Sequence, residues 1–222
     1  GSFASLLAKT ISLICVTSLL NVFFIIASMF YQMVNGYTNF EIGIYIQDFI
    51  YSALPRYIIW SSVLVFLQVV INNKYIGYFV SILLLFMLDI VMLIFEFQSN
   101  MLNLGSSSSF TYSDMNSFGA ALAASNWFNL YWILFGVLFL AFSGLIWVRG
   151  VTFGFKNRIK SAKKHLTSNY IFGLATIAIL WVSTAGFVYY NTQVLNKYRS
   201  SDTVEQGRVK YEKQYKKYQG IA

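Results

Sequence analysis

Five long apolar runs constrain this chain more than any other feature of its sequence. A helix of about 20 apolar residues is long enough to cross the hydrocarbon core of a bilayer. One proline and 21 phenylalanines favour long apolar helices over a β-rich fold. The sequence therefore predicts an all-α, polytopic membrane protein with about five transmembrane helices plus an interfacial helix. The predicted spans are residues 11–31, 55–71, 75–97, 127–148 and 170–190.

The composition supports this class. Hydrophobic residues make up 57% of the chain, charged residues make up 11%, and the mean hydropathy is +0.59. These values lie outside the range of soluble domains. The single cysteine, Cys15, lies inside an apolar run, which excludes a disulfide framework. A hydrophobic stretch begins at once, without the pattern of a signal peptide, so we expect the chain to be part of a longer protein.

The segment between the first two spans, "FEIGIYIQDFIYSALP" (residues 40–55), is too polar to cross a membrane. Its apolar and polar side chains fall on opposite helical faces, which predicts a helix lying in the membrane interface. The alternative is that the segment extends the second span outward, with Pro55 in a tolerated first-turn position. The apolar face holds Ile42, Ile46, Phe49, Ile50 and Ala53, and the polar face holds Glu41, Asp48 and Ser52.

Orientation depends on the lysines and arginines of the short loops. Five spans put the N-terminus, the turn at 72–74 and the loop at 149–169 on one side, with eight basic residues. The other side also has eight, but seven of them lie in the C-terminal tail. A tail that leads into a large domain crosses regardless of charge. We therefore expect the 149–169 loop in the cytoplasm, and the polar loop 111–119 and the tail outside.

Catalytic signatures are missing from the sequence. His165 is the only histidine, so neither an H-E-x-x-H zinc site nor a histidine-based triad can form within this chain. The sequence has no phosphate-binding P-loop, and the serines at 106–109 have no histidine to activate them. Asp114 and Asn116 are too few ligands for a calcium loop. We predict that the chain itself is not an enzyme, has no cofactor and does not bind nucleic acid.

Two carboxylates in the third span carry the sharpest functional hypothesis. Asp89 and Glu96 are two helical turns apart, so they share a face at a separation of about 10 Å. An ionised group inside a span costs at least about 2.5–3.5 kcal/mol on insertion scales. Asp89 is therefore either a polar packing residue or part of a transport or proton pathway.

Gly136, Ser143 and Gly144 form a small-residue stripe on the fourth span, which predicts close helix packing.

Several motifs, in order along most of the chain, resemble bacterial fusion proteins that join an export-type ABC permease to a zinc aminopeptidase of the gluzincin class. The resemblance implies the later part of the second permease half in residues 1–168, an additional transmembrane helix in 169–190 and a linker in 191–222. The family usually has glycine where Ser117 stands. The motifs are "NGYTNFEIGIY" (35–45), "VINNKYIGYFV" (70–80), "YSDMNSFG" (112–119), "WFNLYW" (127–132), "WVRG" (147–150), "YYNTQVLNKYR" (189–199) and "YEKQYKKYQG" (211–220).

The resemblance also implies partners and a location. The partners are the lipid bilayer, the other permease half, a separate ABC ATPase subunit and a peptidase domain after Ala222. The location is the bacterial inner membrane, with the tail extracytoplasmic. Two rivals remain open, namely a membrane anchor that transports nothing and a proton-coupled carrier that uses Asp89 and Glu96.

The polar loop is open to two interpretations as well. Tyr112, Asp114 and Asn116 either hold the shape of an external loop through hydrogen bonds to its backbone, or they contact the peptidase or a peptide substrate.

Overall fold

A computed structural model describes residues 2–71, 73–95, 99–147, 160, 162–163, 166–196 and 201–216. These residues form helices joined by loops, which confirms the predicted all-α class. The long helices are α1 (Ser2–Val34), α3 (Leu54–Ile71), α4 (Lys74–Ile94), α5 (Gly119–Ile146) and α6 (Ser168–Tyr189). The shorter ones are α2 (Ile42–Asp48), π-helical segments at Phe49–Ala53 and Tyr190–Leu195, and α7 (Ser201–Tyr215).

Five helical stretches are long and apolar enough to cross a membrane, as the sequence predicts. Their outer surfaces expose large apolar side chains, among them Phe23 and Phe24 on α1 and Phe86 on α4. Exposed apolar surface of this extent suits contact with lipid rather than with water. The five stretches are Phe3–Val34, Ile42–Ile71, Lys74–Ile94, Gly119–Ile146 and Ser168–Leu195.

The helices run alternately up and down around a central pair, α3 and α5. Helices α1 and α4 pack on α3, and α6 packs on α5. Leu6, Val69 and Leu140 form a buried cluster at one end, which we call the basic end because Lys9 and Lys74 lie there. Ile59, Tyr131 and Trp132 form a second cluster at the opposite end, the polar-loop end, beside the loop at 99–118.

The segment expected to lie in the interface is helical, and it continues into the second span without a break. At about 1.5 Å per residue the Ile42–Ile71 stretch is roughly 45 Å long, which exceeds a hydrocarbon core of about 30 Å. The structure therefore corresponds to the alternative in which this segment extends the second span, and the whole stretch is longer than the core is thick.

Pro55 is the second residue of α3, in its first turn, but α3 continues the preceding helical segments, so the proline also lies inside the Ile42–Ile71 stretch. In an α-helix the carbonyl of Tyr51 would accept the N–H of residue 55, which proline lacks. A π-helical segment at Phe49–Ala53 precedes the proline. The buried Asn129 amide of α5 donates to the Tyr51 carbonyl at 2.9 Å. The helix therefore passes through the proline with help from a neighbouring helix.

Several helix ends differ from the prediction. Helix α1 begins at Ser2 rather than at residue 11 and ends at Val34 rather than at residue 31. Helix α5 begins at Gly119, earlier than the predicted residue 127, because an alanine-rich stretch with high helix propensity follows this glycine. Helix α4 ends at Ile94, short of the predicted residue 97, and residues 96–98 lie outside the described residues. The start of α4 agrees closely with the prediction, because the Asn73 side chain accepts the N–H groups of Tyr75 and Ile76.

The small-residue stripe on α5 lies where helices come closest. A Cβ atom on Gly136 would stand 3.1 Å from the Cβ of Ser62 on α3. A Cβ on Gly144 would meet the ring of Phe3 at 2.7 Å and the Tyr170 hydroxyl at 3.1 Å. Ser143 is fully buried and donates its hydroxyl to the Phe139 carbonyl. The stripe allows α1, α3 and α6 to approach α5 closely.

The tail contains a short helix, in agreement with the helical spacing of its tyrosines. Tyr211 and Tyr215 lie on α7 with ring centroids 4.4 Å apart. Tyr218, which follows these two tyrosines at helical spacing, lies outside the described residues, as do His165 and most of the basic loop.

Candidate functional site

The sequence singles out Asp89 and Glu96, and the structure places the first of them. Asp89 is exposed in the last two turns of α4. Glu96 lies outside the described residues. Their predicted common face, and a proton pathway that would use both, therefore stay predictions.

Asp89 lines a polar cleft of about 320 Å³ at the polar-loop end. Arg56 and Trp60 of α3 form a second wall, and Asn103 to Ser106 of the loop after α4 form the third. The cleft thus joins a guanidinium, a carboxylate, an indole and a polar loop. Packing of α4 on α3 brings Asp89 and Arg56 together from separate helices.

The loop that closes the cleft is fastened to α5 by aromatic donors. The Trp132 indole donates to the carbonyl of Asn100 at 3.2 Å, and the Tyr131 hydroxyl reaches the carbonyl of Met101 at 3.5 Å. Ser106 donates to the side-chain oxygen of Asn100 at 2.8 Å. These contacts give the "WFNLYW" motif (127–132) a physical role, because its tyrosine and tryptophan hold the loop and Asn129 supports the helix at Pro55.

A glycine is required where this loop meets α3. Gly105 has a φ of +71°, in the left-handed region that favours glycine. A Cβ atom there would lie 3.4 Å from the Trp60 indole nitrogen. The loop backbone therefore lies close against the tryptophan that lines the cleft.

The polar loop 111–119 forms a compact turn next to this region. Backbone hydrogen bonds close it, from the Ser113 N–H to the Ser117 carbonyl at 2.9 Å and from the Asn116 N–H to the Ser113 carbonyl at 3.2 Å. Phe118 is buried, with the rings of Phe110 and Tyr112 packed edge-on against it. The turn is thus held by backbone bonds and aromatic packing.

Tyr112, in this turn, lies close enough to Glu41, which precedes α2, to be affected by its charge. Loss of hydration, followed by the negative charges of Glu41 and then Asp114, raises the pKa of Tyr112 above its ordinary value. The phenol therefore keeps its proton, and its ability to donate a hydrogen bond, to a higher pH than a free tyrosine does. Glu41, Tyr112 and Asp114 form a small acidic and phenolic surface, separate from the Arg56–Asp89 cleft. Whether it contacts a peptidase or a peptide stays a prediction.

Ser117 offers a direct test of the turn. Its φ of +52° is costly for a residue with a Cβ, by about 1–2 kcal/mol. We expect Ser117→Gly to stabilise the protein by about 0.5–1 kcal/mol, measured as a rise in thermal midpoint in detergent. The matched change Gly119→Ala should lower the midpoint, because Gly119 also has a positive φ, +62°, and its Cβ would lie 3.1 Å from the Asn116 amide nitrogen. Equal shifts for the two variants would contradict this geometry.

The sequence analysis did not identify Arg56, or the hydrogen-bond donors Asn129, Tyr131 and Trp132 of α5, as parts of this site. In the sequence Arg56 counts only as a loop charge, and no local signal links it to Asp89. The adjacent polar and aromatic residues of "WFNLYW" (127–132) are the signal that points to Asn129, Tyr131 and Trp132. Within the described residues, no three His, Cys, Asp or Glu side chains lie close enough to hold a metal ion.

Comparison with known proteins identifies no relative of this chain. No protein family, curated protein or solved structure matches the chain.

Proposed function

We propose that the chain is a membrane-spanning permease segment of an ABC-type transporter, tethered to an extracytoplasmic aminopeptidase-like domain. The observation that carries the proposal is the ordered set of motifs along most of the sequence. Two of these motifs coincide with structural contacts. "WFNLYW" (127–132) fastens the polar-loop end, and "YSDMNSFG" (112–119) forms the compact turn beside it.

The uncovered helices support a segment that works within a larger assembly. In the most hydrophobic part of α1 no residue is buried, and α4 buries few of its residues. A second permease half or lipid would cover these faces. The proposed partners are that other half, a separate ABC ATPase subunit and a domain after Ala222.

The proposed location is the bacterial inner membrane, with the tail extracytoplasmic. The described helices place Lys9 and Lys74 at the basic end, while the segment after α6 leaves from the polar-loop end, where Phe187 contacts Trp127. The positive-inside tendency then favours a cytoplasmic basic end.

Single cysteines test this orientation. In a Cys15→Ser background we expect Ser201→Cys to react with a membrane-impermeant thiol reagent on intact spheroplasts, and Lys163→Cys to react only after lysis. Residue 201 begins α7, and residue 163 lies in the basic loop. The reverse pattern would place the tail in the cytoplasm. Labelling of both, or of neither, before lysis would mean that α6 does not cross the membrane.

ATP turnover tests the transport proposal. The full-length protein with its ATPase subunit should hydrolyse ATP faster when its substrate is present, and peptides are the first class to screen. The control replaces residues 2–196 with unrelated transmembrane helices of the same number. Stimulation lost in the control supports a permease. Unstimulated hydrolysis in both proteins, with peptidase activity retained in both, would favour a simple anchor.

A further inference from the structure

The Arg56–Asp89 cleft has the features of a binding site for a small zwitterion. We propose that it binds the headgroup of a phospholipid that carries both a phosphate and a primary ammonium, such as phosphatidylethanolamine. Arg56 would bind the phosphate, and Asp89 would accept hydrogen bonds from the ammonium. The inference goes beyond the proposed transport function and does not depend on it.

The two charges carry the first step. Arg56 and Asp89 line the same cleft and are both exposed in it, and across the part of the chain that the structure describes no ion pair joins them. Charges within membrane-spanning helices are costly unless they are compensated. A ligand with one group of each sign compensates both at once. Arginine suits the phosphate end, because its planar guanidinium bonds two phosphate oxygens together.

The size of the cleft gives the second step. Its volume of about 320 Å³ is at the lower limit of small-molecule sites, about 300–1,000 Å³. A phosphate joined to a two-carbon ammonium fits this space, whereas a folded peptide does not. The ligand class is therefore a compact headgroup.

The surroundings of the cleft favour a lipid over a free headgroup. Leu85 and Leu88 line it together with the polar residues. On the same helix, Phe86, Ile90 and Leu93 are exposed and continue the apolar surface along α4. Acyl chains would lie along this surface while the headgroup occupies the cleft. A soluble phosphoethanolamine would leave the apolar wall uncovered.

The third wall is fixed before any ligand arrives. Trp132 holds the carbonyl of Asn100, Ser106 bonds the side chain of the same residue, and Gly105 lies against Trp60. A site whose walls are already ordered loses little entropy on binding. The loop therefore forms part of the site rather than a flexible cover.

Lipid retention by the purified full-length chain tests the proposal. Protein in a mild detergent is incubated with dioleoyl phosphatidylethanolamine, phosphatidylglycerol or phosphatidylcholine, and bound lipid is counted by native mass spectrometry. We expect phosphatidylethanolamine to bind about tenfold more tightly than the other two, the effect of one charge-assisted hydrogen bond. Phosphatidylglycerol lacks the ammonium, and the ammonium of phosphatidylcholine has no N–H to donate. Equal retention of all three by the wild-type protein would overturn the proposal without any variant.

Charge variants assign the two ends of the ligand. Asp89→Asn should abolish the preference for phosphatidylethanolamine over phosphatidylglycerol, and Arg56→Gln should weaken binding of all three lipids. The matched controls Asp48→Asn and Arg208→Gln change exposed charges outside the cleft and should leave retention unchanged. Equal losses in variants and controls would contradict a specific site.

Displacement of the lipid by glycerophosphoethanolamine at the same concentration would identify the soluble headgroup, and not the lipid, as the ligand.

Discussion

Replacing Gly136 with leucine is expected to prevent α3 and α5 from packing and to leave little folded protein. A single Cβ at this position would already stand 3.1 Å from the Ser62 Cβ and 3.8 Å from the Ile59 Cα. Both neighbours are fully buried, and the Ser62 hydroxyl donates to the Ile58 carbonyl at 2.7 Å. Because both neighbours are buried in the contact between α3 and α5, relief of the clash must come from these two helices, and overpacking costs about 1–3 kcal/mol for alanine and more for leucine.

The yield of monodisperse protein after size-exclusion chromatography measures this effect. Gly173→Leu is the matched control, since Gly173 also lies in a membrane-spanning helix but a Cβ atom added there would meet nothing within 4 Å. Its yield should equal that of the wild type. Ser62→Gly should partly rescue Gly136→Ala by removing the nearest atom. A normal yield for Gly136→Leu would mean that α3 and α5 do not meet at this crossing.

The spans could be predicted from the sequence, because a long apolar run has few alternatives to a membrane-crossing helix. The first and last residues of these helices were predicted less accurately. The alanines after Gly119 have high helix propensity, yet the polar residues just before them suggested a loop. Pro55 suggested a helix start, but the Asn129 amide of another helix donates to the Tyr51 carbonyl, which lacks a backbone donor because of the proline. At Pro55 the local rule thus failed because a hydrogen bond from another helix replaces the missing local one.

The cleft shows why sites are harder to predict than spans. Asp89 attracts attention because a carboxylate in an apolar run is costly. Arg56 attracts none, because it follows a proline at what reads as the edge of a span. Only the packing of α4 on α3 and the docking of Gly105 against Trp60 bring the two charges into one cavity. The residue pattern within α3 or within α4 does not predict that Arg56 and Asp89 line the same cleft.

The same contacts relate the folding of the polar-loop end to its chemistry. Asn129, Tyr131 and Trp132 occupy one short stretch of α5 and reach the extended second span and the loop over the cleft. Changes on α5 should therefore alter the cleft without touching its lining. Asn129 tests this relation, because it does not line the cleft itself.

Replacing Asn129 with aspartate is expected to destabilise the protein by about 3–5 kcal/mol, the second large effect. The amide is buried and donates to the Tyr51 carbonyl at 2.9 Å. An ionised carboxylate of the same size has no N–H to donate, and it would turn its negative charge toward the partial negative charge of that carbonyl oxygen. Leucine would only remove the donor, and we expect a loss of about 1–2 kcal/mol. Unfolding by SDS in mixed micelles, followed by tryptophan fluorescence, measures both losses.

Two further variants separate the loss of this interhelical bond from the general effect of replacing an asparagine by aspartate in a helix. Asn191 donates to the carbonyl of Phe187 within its own helical segment at 2.8 Å and is partly exposed, so Asn191→Asp should cost less than about 1 kcal/mol. Pro55→Ala restores a backbone N–H that can bond the Tyr51 carbonyl. In that background Asn129→Leu should cost less than it does in the wild type, because the carbonyl keeps a donor. An unchanged cost would show that Asn129 stabilises the bundle by packing alone, and that the helix passes Pro55 without its help.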